Sequence, residues 1–311
     1  MNTSGKQGTT HLLHRLGRAL LCLALAAPAL ASAAGTLDKA RESGKLTFGY
    51  RVDTRPFAYN DEGGKPAGFS VALCQGVAET MKTELKLPAL TVDFVPVSAA
   101  ERFDALSQGK VDLLCETATP TMERRASFDF SLPIFFSGVG AVLRADTPAR
   151  MRDALADRPE VSAPVWRGAP AAFLANVVFA VVGGSTIEQS LLDAMSARRI
   201  QVSVTRVPDY ATGLQMVRDG RAAALFGDRP VLVEAAKRAP SAGDLIVIQR
   251  NFTREPLSLA MRRGDDAFRL VVNRSLSKSY LSKEFAPLYT GHFGPPDTGT
   301  IEFYQAIALP E

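Results

Sequence analysis

Two stretches of this chain alternate short apolar runs with helix-type patterns, and this alternation limits the fold more than any other feature. In the first stretch the apolar runs are Lys45–Tyr50, Leu90–Val97 and Val111–Cys115. Alternating strands and helices favour a parallel, doubly wound sheet, which binds ligands at the carboxyl ends of its strands. The sequence therefore predicts an α/β unit whose binding site lies where these runs end.

The second stretch repeats this design after residues 147–170, whose prolines predict a connecting insertion. Its apolar runs are Val177–Val182, Ile200–Val204 and Ala222–Phe226, and a further strand is expected at Glu255–Arg262. Two α/β lobes joined by two extended segments predict a clamshell with the ligand between them. The expected boundaries are residues 34–140 with 253–311 for the first lobe, and residues 141–252 for the second.

The first 33 residues have the pattern of a secretory signal peptide. Basic residues precede the apolar run Ala19–Ala27, which is too short to span a bilayer, and Ala31-Ser32-Ala33 suits cleavage. Cleavage after Ala33 would remove three basic residues and lower the formal charge from +4 to +1. A near-neutral exported chain gives no electrostatic reason to expect a nucleic-acid partner.

Two cysteines, Cys74 and Cys115, remain once Cys22 leaves with the leader. An even pair in an oxidising compartment is able to form a disulfide. Two buried free thiols are the alternative, because the sequence does not supply the Cα separation that a bridge requires.

The segment from Cys115 to Phe136 combines the end of a strand with a threonine-rich turn. Thr119 directly precedes Pro120, which predicts a helix N-cap followed by proline at the first helical position. Backbone N–H groups at such a turn bind anions, and the guanidinium of Arg124 could clamp a carboxylate with two parallel hydrogen bonds. A capped surface turn with a solvated arginine is the alternative.

Two capping boxes mark further helix starts. Ser185 and Glu188 follow a glycine pair, and they predict a second helix N-terminus that could bind an anion. The alternative is a well-capped helix without a ligand. Ser98 and Glu101 open a short helix that is expected to end at Gly109.

Four segments of the chain carry a family resemblance through their order and spacing. They are PFAYNDEGGKPAGFSVALCQGVA (56–78), LSQGKVDLLCETATPTMERRASFDFSLPIF (106–135), GGSTIEQSL (183–191) and GRAAALFGDRPVL (220–232). Together they resemble family 3 of the bacterial extracellular solute-binding proteins, which are periplasmic proteins of amino-acid uptake. The likeness runs from about Thr36 to the C-terminus and is nearest to the glutamate/aspartate-binding branch. It implies the two-lobed clamshell of a type II periplasmic binding protein.

The resemblance also implies how the α-carboxylate of an amino acid would be held. Arg124 would bind it with its guanidinium, and Thr117 and Thr119 with their hydroxyls. The helix start at Ser185 and Thr186 would bind it from the other lobe.

Further residues are implied for the rest of the ligand. Asp228 would receive the α-ammonium group, with an aspartate at a helix start as the alternative. Arg51 and Arg102 would face a side-chain carboxylate, although each could instead be solvated. Phe57 and Tyr59 would form an aromatic floor, with ordinary core packing as the alternative, and the role of Tyr210 stays open.

The function that the resemblance implies is capture of an L-amino acid in the periplasm and its delivery, by a monomer, to an ABC permease. No cofactor, metal or catalytic residue is expected. Because arginine keeps its charge at neutral pH, Arg51, Arg102 and Arg124 in one cleft would exceed the charge of a single α-carboxylate. That excess favours glutamate or aspartate over glutamine. The alternatives are a cyclohexadienyl dehydratase-like enzyme and a ligand sensor that presents to a membrane receptor.

Overall fold

The computed structural model describes residues 35–156, 177–197, 202–239 and 243–310, which belong to one compact unit. The predicted leader and residues 157–170 of the predicted insertion lie outside the described residues. Within the described ranges, no helix is long and apolar enough to cross a membrane.

The described residues alternate strands and helices, as the sequence predicts. The strands are β1 (Lys45–Tyr50), β2 (Asp53–Thr54), β3 (Ala58–Asn60), β4 (Pro66–Ala67), β5 (Thr91–Pro96), β6 (Leu113–Ala118), β7 (Phe128–Ser137), β8 (Val139–Arg144), β9 (Val178–Val182), β10 (Ser203–Val207), β11 (Ala224–Asp228), β12 (Leu245–Val247) and β13 (Glu255–Arg262). The helices are α1 (Thr36–Ser43), α2 (Phe69–Glu84), α3 (Arg102–Ser107), α4 (Met122–Arg125), α5 (Ala149–Ala156), α6 (Ile187–Ala197), α7 (Tyr210–Arg218), α8 (Arg229–Lys237), α9 (Asp266–Leu281), α10 (Phe285–Phe293) and α11 (Thr298–Ile307).

Two five-stranded sheets form the two lobes, and a small three-stranded sheet of β2, β3 and β4 adds to the first. The first sheet has the order β5-β1-β6-β13-β7, and the second has the order β10-β9-β11-β8-β12. The chain passes from the first sheet to the second between β7 and β8, and returns between β12 and β13. These are the two crossings that the sequence predicts.

The three strands of each lobe from which a parallel sheet was predicted are parallel, and one further strand of each sheet runs antiparallel to both of its neighbours. In the first sheet β5, β1 and β6 are parallel, but β13 runs antiparallel to both of its neighbours. In the second, β10, β9 and β11 are parallel, whereas β8 is antiparallel to β11 and β12. The antiparallel strands are the ones next to the crossings, where the chain enters each sheet without a preceding crossover helix.

The first part of the predicted connecting insertion forms the helix Ala149–Ala156. One local prediction needs correction. The strand expected at Ile200–Val204 lies further along, at Ser203–Val207, and residues 198–201 lie outside the described part.

Strand β6 divides its side chains between two layers, because alternate residues of a strand face opposite sides. Leu113 and Cys115 belong to the apolar cluster that contains α2, and Leu114 belongs to the cluster that contains α3. Cys115 forms a disulfide with Cys74 of α2, with a Cα–Cα distance of 6.0 Å. By the same alternation Glu116 lies on the α3 side.

Replacing both Cys74 and Cys115 with alanine should lower the free energy of unfolding while leaving the fold intact. The bridge closes a loop with a sequence separation of 41 residues. On a chain-entropy estimate, its loss costs about 3–4 kcal/mol. Urea unfolding followed by circular dichroism measures the difference. A change below about 1 kcal/mol would contradict the bridge as a stabilising link.

Candidate functional site

The predicted polar site residues all lie near the carboxyl ends of parallel strands, where a doubly wound sheet binds ligands. In the first lobe, Arg51 follows β1 and Thr117 is half-buried near the end of β6. In the second lobe, Tyr210 follows β10 and Asp228 ends β11. The two rows of strand ends face one another, since residues of the first lobe donate hydrogen bonds to the second.

The turn that carries Arg124 is capped differently from the sequence prediction. The N-cap of α4 is Thr121, whose hydroxyl accepts a hydrogen bond from the Arg124 N–H at 3.1 Å. Pro120 therefore precedes the cap instead of following it, and Thr119 lies outside the helix. Helix α4 spans only Met122–Arg125. The cap at Thr121 fixes the backbone of Arg124 within this single turn.

The Arg124 guanidinium lies at the junction of the lobes. Its terminal nitrogens donate to the carbonyl of Thr119 at 3.1 Å and to that of Gly184, across the cleft, at 3.2 Å. It also stacks 4.7 Å from the ring centre of Phe103. Burial and the nearby Arg102 lower its pKa to about 10. Among the described residues no carboxylate pairs with Arg124, so this cation is available to an anion.

Gly184 joins the two lobes through its backbone. Its carbonyl accepts from Arg124 and also from a terminal nitrogen of Arg102, at 3.1 Å. Its φ is +76°, and a Cβ on it would lie 2.9 Å from the carbonyl oxygen of Ala99. A side chain at this position would therefore oppose the approach of the lobes.

Thr119 belongs to a chain of hydroxyl and carboxylate groups. Its hydroxyl donates to Glu255 at 2.9 Å, and the other oxygen of Glu255 accepts from the Thr253 hydroxyl at 2.6 Å. The Thr186 hydroxyl approaches that of Thr119 from the second lobe, at 3.5 Å. The site thus brings Thr119 and Thr186 together, and it includes Glu255, which the sequence analysis did not single out.

The capping box predicted at Ser185 is not formed. Helix α6 begins at Ile187, and the Ser185 hydroxyl donates to the carbonyl of Val182 at 2.7 Å. The Glu188 carboxylate pairs with Arg206 at 2.7 Å instead of the helix backbone. The box at Ser98 is different, because that hydroxyl does accept from the N–H of Glu101, at 3.2 Å.

Arg51 forms a two-pronged ion pair within its own lobe. Its Nε and one terminal nitrogen donate to the two oxygens of Asp53, at 2.9 and 2.6 Å, and only 6% of the residue is exposed. Burial alone would lower the Arg51 pKa, but the carboxylates of Asp53 and Glu116 raise it. Asp53 also accepts from the backbone N–H of Tyr210 across the cleft, at 3.3 Å.

Arg102 is likewise paired with a protein carboxylate. Its Nε lies 2.7 Å from Oε1 of Glu116, and the two residues are 3% and 0% exposed. The contact is an ion pair with poor hydrogen-bond geometry, and neither Glu116 oxygen has a donor among the described residues. Another Arg102 nitrogen donates to the carbonyl of Ala99.

These pairs correct the charge argument made from the sequence. That argument treated Arg51, Arg102 and Arg124 as three uncompensated cations. Two of them instead have a carboxylate of their own, so of these three Arg124 alone lacks a carboxylate partner among the described residues.

Asp228 supplies the carboxylate of the second lobe. It precedes α8 but makes no side-chain cap, and its backbone N–H donates to the Tyr210 hydroxyl at 3.2 Å. Gly227 permits this contact, since a Cβ there would lie 2.4 Å from the Tyr210 ring. Burial, and then the Glu255 carboxylate, raise the Asp228 pKa to about 7.

The predicted aromatic floor requires a correction. Phe57 is completely buried, and its ring packs 5.0 Å from Phe135 and 5.3 Å from Phe293. It therefore belongs to the core of the first lobe and presents no surface to a ligand, whereas Tyr210 lies at the cleft.

Asp53, Glu116 and Glu255 are the site residues that sequence reasoning missed. Glu116 had a readable signal, because a charged residue inside a buried apolar strand requires a partner. Asp53 follows Arg51 by two residues, a spacing that gives neighbouring side chains in extended backbone. Glu255 has no comparable local signal, since its partner Thr119 is 136 residues away.

Chemically, the site offers one unmatched guanidinium, one carboxylate with a raised pKa, and several hydroxyls. Arg124 and Asp228 are complementary to an ion that carries both a carboxylate and an ammonium group. Among the described residues there is no cluster of three or more His, Cys, Asp or Glu side chains that could hold a metal ion.

Two relatives align over most of the chain. The L-glutamate/L-aspartate-binding protein of Pseudomonas aeruginosa is 31% identical, over 90% of this chain and 87% of its own length. The glutamate/glutamine/aspartate/asparagine-binding protein of Rhodobacter capsulatus is 26% identical, over 82% of this chain and 69% of its own length.

A solved structure has the same architecture. It is that of an ancestral amino acid-binding protein, described as a precursor of cyclohexadienyl dehydratase, with a TM-score of 0.66 and 27% identity. The match covers 84% of this chain and 100% of the other. The model of the bacterial extracellular solute-binding proteins, family 3, matches residues 46–295. This chain therefore belongs to family 3 of the bacterial extracellular solute-binding proteins.

Proposed function

We propose that this protein captures an L-amino acid in the periplasm and delivers it, as a monomer, to the permease of an ABC importer. Membership of the family and the names of the relatives support this role. Those names favour glutamate and aspartate as ligands, and one of them adds the corresponding amides.

The observation that carries the proposal is the state of Arg124. Of the three predicted cleft arginines it is the one without a carboxylate partner among the described residues, and its remaining N–H groups are free for an α-carboxylate. The carbonyl of Thr119 accepts from it, and the hydroxyls of Thr119 and Thr186 lie 3.5 Å apart. Burial lowers the pKa of Arg124, and a carboxylate bound beside it would favour the charged guanidinium again.

Asp228 is proposed as the partner of the α-ammonium group. Its pKa of about 7 reflects burial beside the carboxylates of Glu255 and Glu116. A bound ammonium would offset that repulsion and favour the ionised form. The two charged groups of an amino acid would therefore each find an opposite charge.

Closure of the lobes is proposed to accompany binding. The hydrogen bonds from Arg102 and Arg124 to Gly184 exist only when the lobes are together. A ligand held by both lobes has a higher affinity for the closed state and shifts the population toward it.

Binding without catalysis is the proposed role, since both relatives are named as binding proteins. His292 packs its ring against Phe69 and Phe293, away from the residues that are proposed to hold the ligand. Incubation with prephenate or arogenate followed by product analysis tests this. Turnover that is lost in an Arg124→Ala variant would contradict a pure binding role.

Arg124→Ala should abolish amino-acid binding while preserving the fold. Loss of the guanidinium leaves the ligand carboxylate desolvated and unpaired, which costs roughly 2–5 kcal/mol. Titration calorimetry measures the change. The matched control is Arg125→Ala, because Arg125 is exposed, one residue away, and stacks on Phe130. A loss of less than about threefold in affinity for Arg124→Ala would contradict the assignment.

Affinity should rise with pH up to about pH 7 and then level off. The raised pKa of Asp228 means that below about 7 it must lose a proton before it can pair with the ammonium. The slope should therefore approach about tenfold per pH unit on the acid side. Calorimetry in two buffers of different ionisation enthalpy measures the released proton. Asp228→Asn should bind weakly and lose this slope, and a flat profile below about pH 7 in the native protein would contradict the role.

A further inference from the structure

We infer that Asp53 and Glu116 determine which side chain the cleft accepts: by neutralising Arg51 and Arg102, they admit the uncharged amides glutamine and asparagine alongside the acidic amino acids. This inference rests on the proposed function and concerns the side-chain end of the same cleft. It reverses the expectation from the sequence, in which bare guanidinium groups would reject an amide.

The Arg51–Asp53 pair uses the geometry that would otherwise receive a ligand carboxylate. Both oxygens of Asp53 are engaged by Arg51, at 2.9 and 2.6 Å, in a two-pronged arrangement. The Asp53 side chain is only 20% exposed, so water screens the pair weakly. A second carboxylate at Arg51 would have to compete with Asp53 or lie against it.

The Arg102–Glu116 pair neutralises the second guanidinium from within the protein. Nε of Arg102 lies 2.7 Å from Oε1 of Glu116, and Glu116 is fully buried. Glu116 therefore acts on a ligand through its charge and not through a hydrogen bond. An ionised side-chain carboxylate would be repelled by that charge, whereas the uncharged amide of glutamine or asparagine would not.

Glu116 lies among the groups that would hold the amino-acid ends of the ligand. Its charge helps to raise the pKa values of Arg51 and Asp228 and opposes the lowering of the Arg124 pKa, so it acts on groups from three different parts of the cleft. A side chain that extends from an amino acid held by Arg124 and Asp228 therefore enters the field of Glu116.

The amide oxygen also has possible partners. Arg51 uses its Nε and one terminal nitrogen on Asp53, which leaves the N–H groups of its other nitrogen. The oxygen of an amide beside Arg51 could accept from this nitrogen. A carboxylate in that place would gain the same interaction and be repelled by the charge of Glu116.

The experiment compares L-glutamine with L-glutamate by titration calorimetry on ligand-free protein. The variants are Glu116→Gln and Asp53→Asn, which remove one carboxylate each and keep the side-chain shape. Glu79→Gln is the control, because Glu79 is an exposed partner of Lys82 on α2 and its loss changes the net charge equally. Circular dichroism establishes that each variant is folded, and Asp53→Asn provides the test should Glu116→Gln fail to fold.

The native protein should bind glutamine within about tenfold of glutamate, or more tightly. Glu116→Gln and Asp53→Asn should each shift the ratio of the two affinities toward glutamate by about tenfold or more, since each variant leaves an unpaired guanidinium. Glu79→Gln should leave the ratio unchanged. A native protein that rejects glutamine by more than about a hundredfold, or folded variants with the native ratio, would overturn the inference. Failure of both amino acids to bind would instead contradict the proposed function.

Discussion

The carbonyl oxygen of Gly184 is the point on which the arrangement of the cleft depends. Two guanidinium groups of the first lobe, from Arg102 and Arg124, donate to this single backbone atom of the second. The contact requires close backbone approach, which the missing side chain of Gly184 permits. Each arginine uses one terminal nitrogen on this carbonyl. The positive charge and the remaining nitrogens of each guanidinium then depend on other groups nearby.

Arg102 and Arg124 satisfy that requirement in different ways. Arg102 meets a buried carboxylate, whereas Arg124 has no carboxylate partner among the described residues and has its pKa lowered to about 10. A buried ion pair contributes little net stability, since desolvation offsets the attraction, but an unpaired partner costs several kcal/mol. The cleft therefore contains one cation that the protein has already neutralised, Arg102, and one without a carboxylate partner among the described residues, Arg124.

Much of the fold could be predicted because periodicity is a local property. The runs at Lys45–Tyr50 and Glu255–Arg262 coincide with β1 and β13, and the positions of Arg51, Thr119 and Asp228 at strand ends follow from the alternation. The antiparallel placement of β13 was missed because pairing between distant segments leaves no local pattern.

The details of the site depended on choices that a pattern cannot make. Thr119 and Thr121 flank Pro120 and both suit an N-cap, yet Thr121 caps α4 while the Thr119 hydroxyl donates to Glu255.

The pairing of buried charges is easier to predict from the sequence than the choice of helix cap. Glu116 interrupts an apolar strand and Arg102 lies on the adjoining helix, so each explains why the other is tolerated in a buried position. The same reasoning shows why three arginines in one cleft do not imply three sites for anions: the charge offered to a ligand is what remains after the protein's own carboxylates are counted.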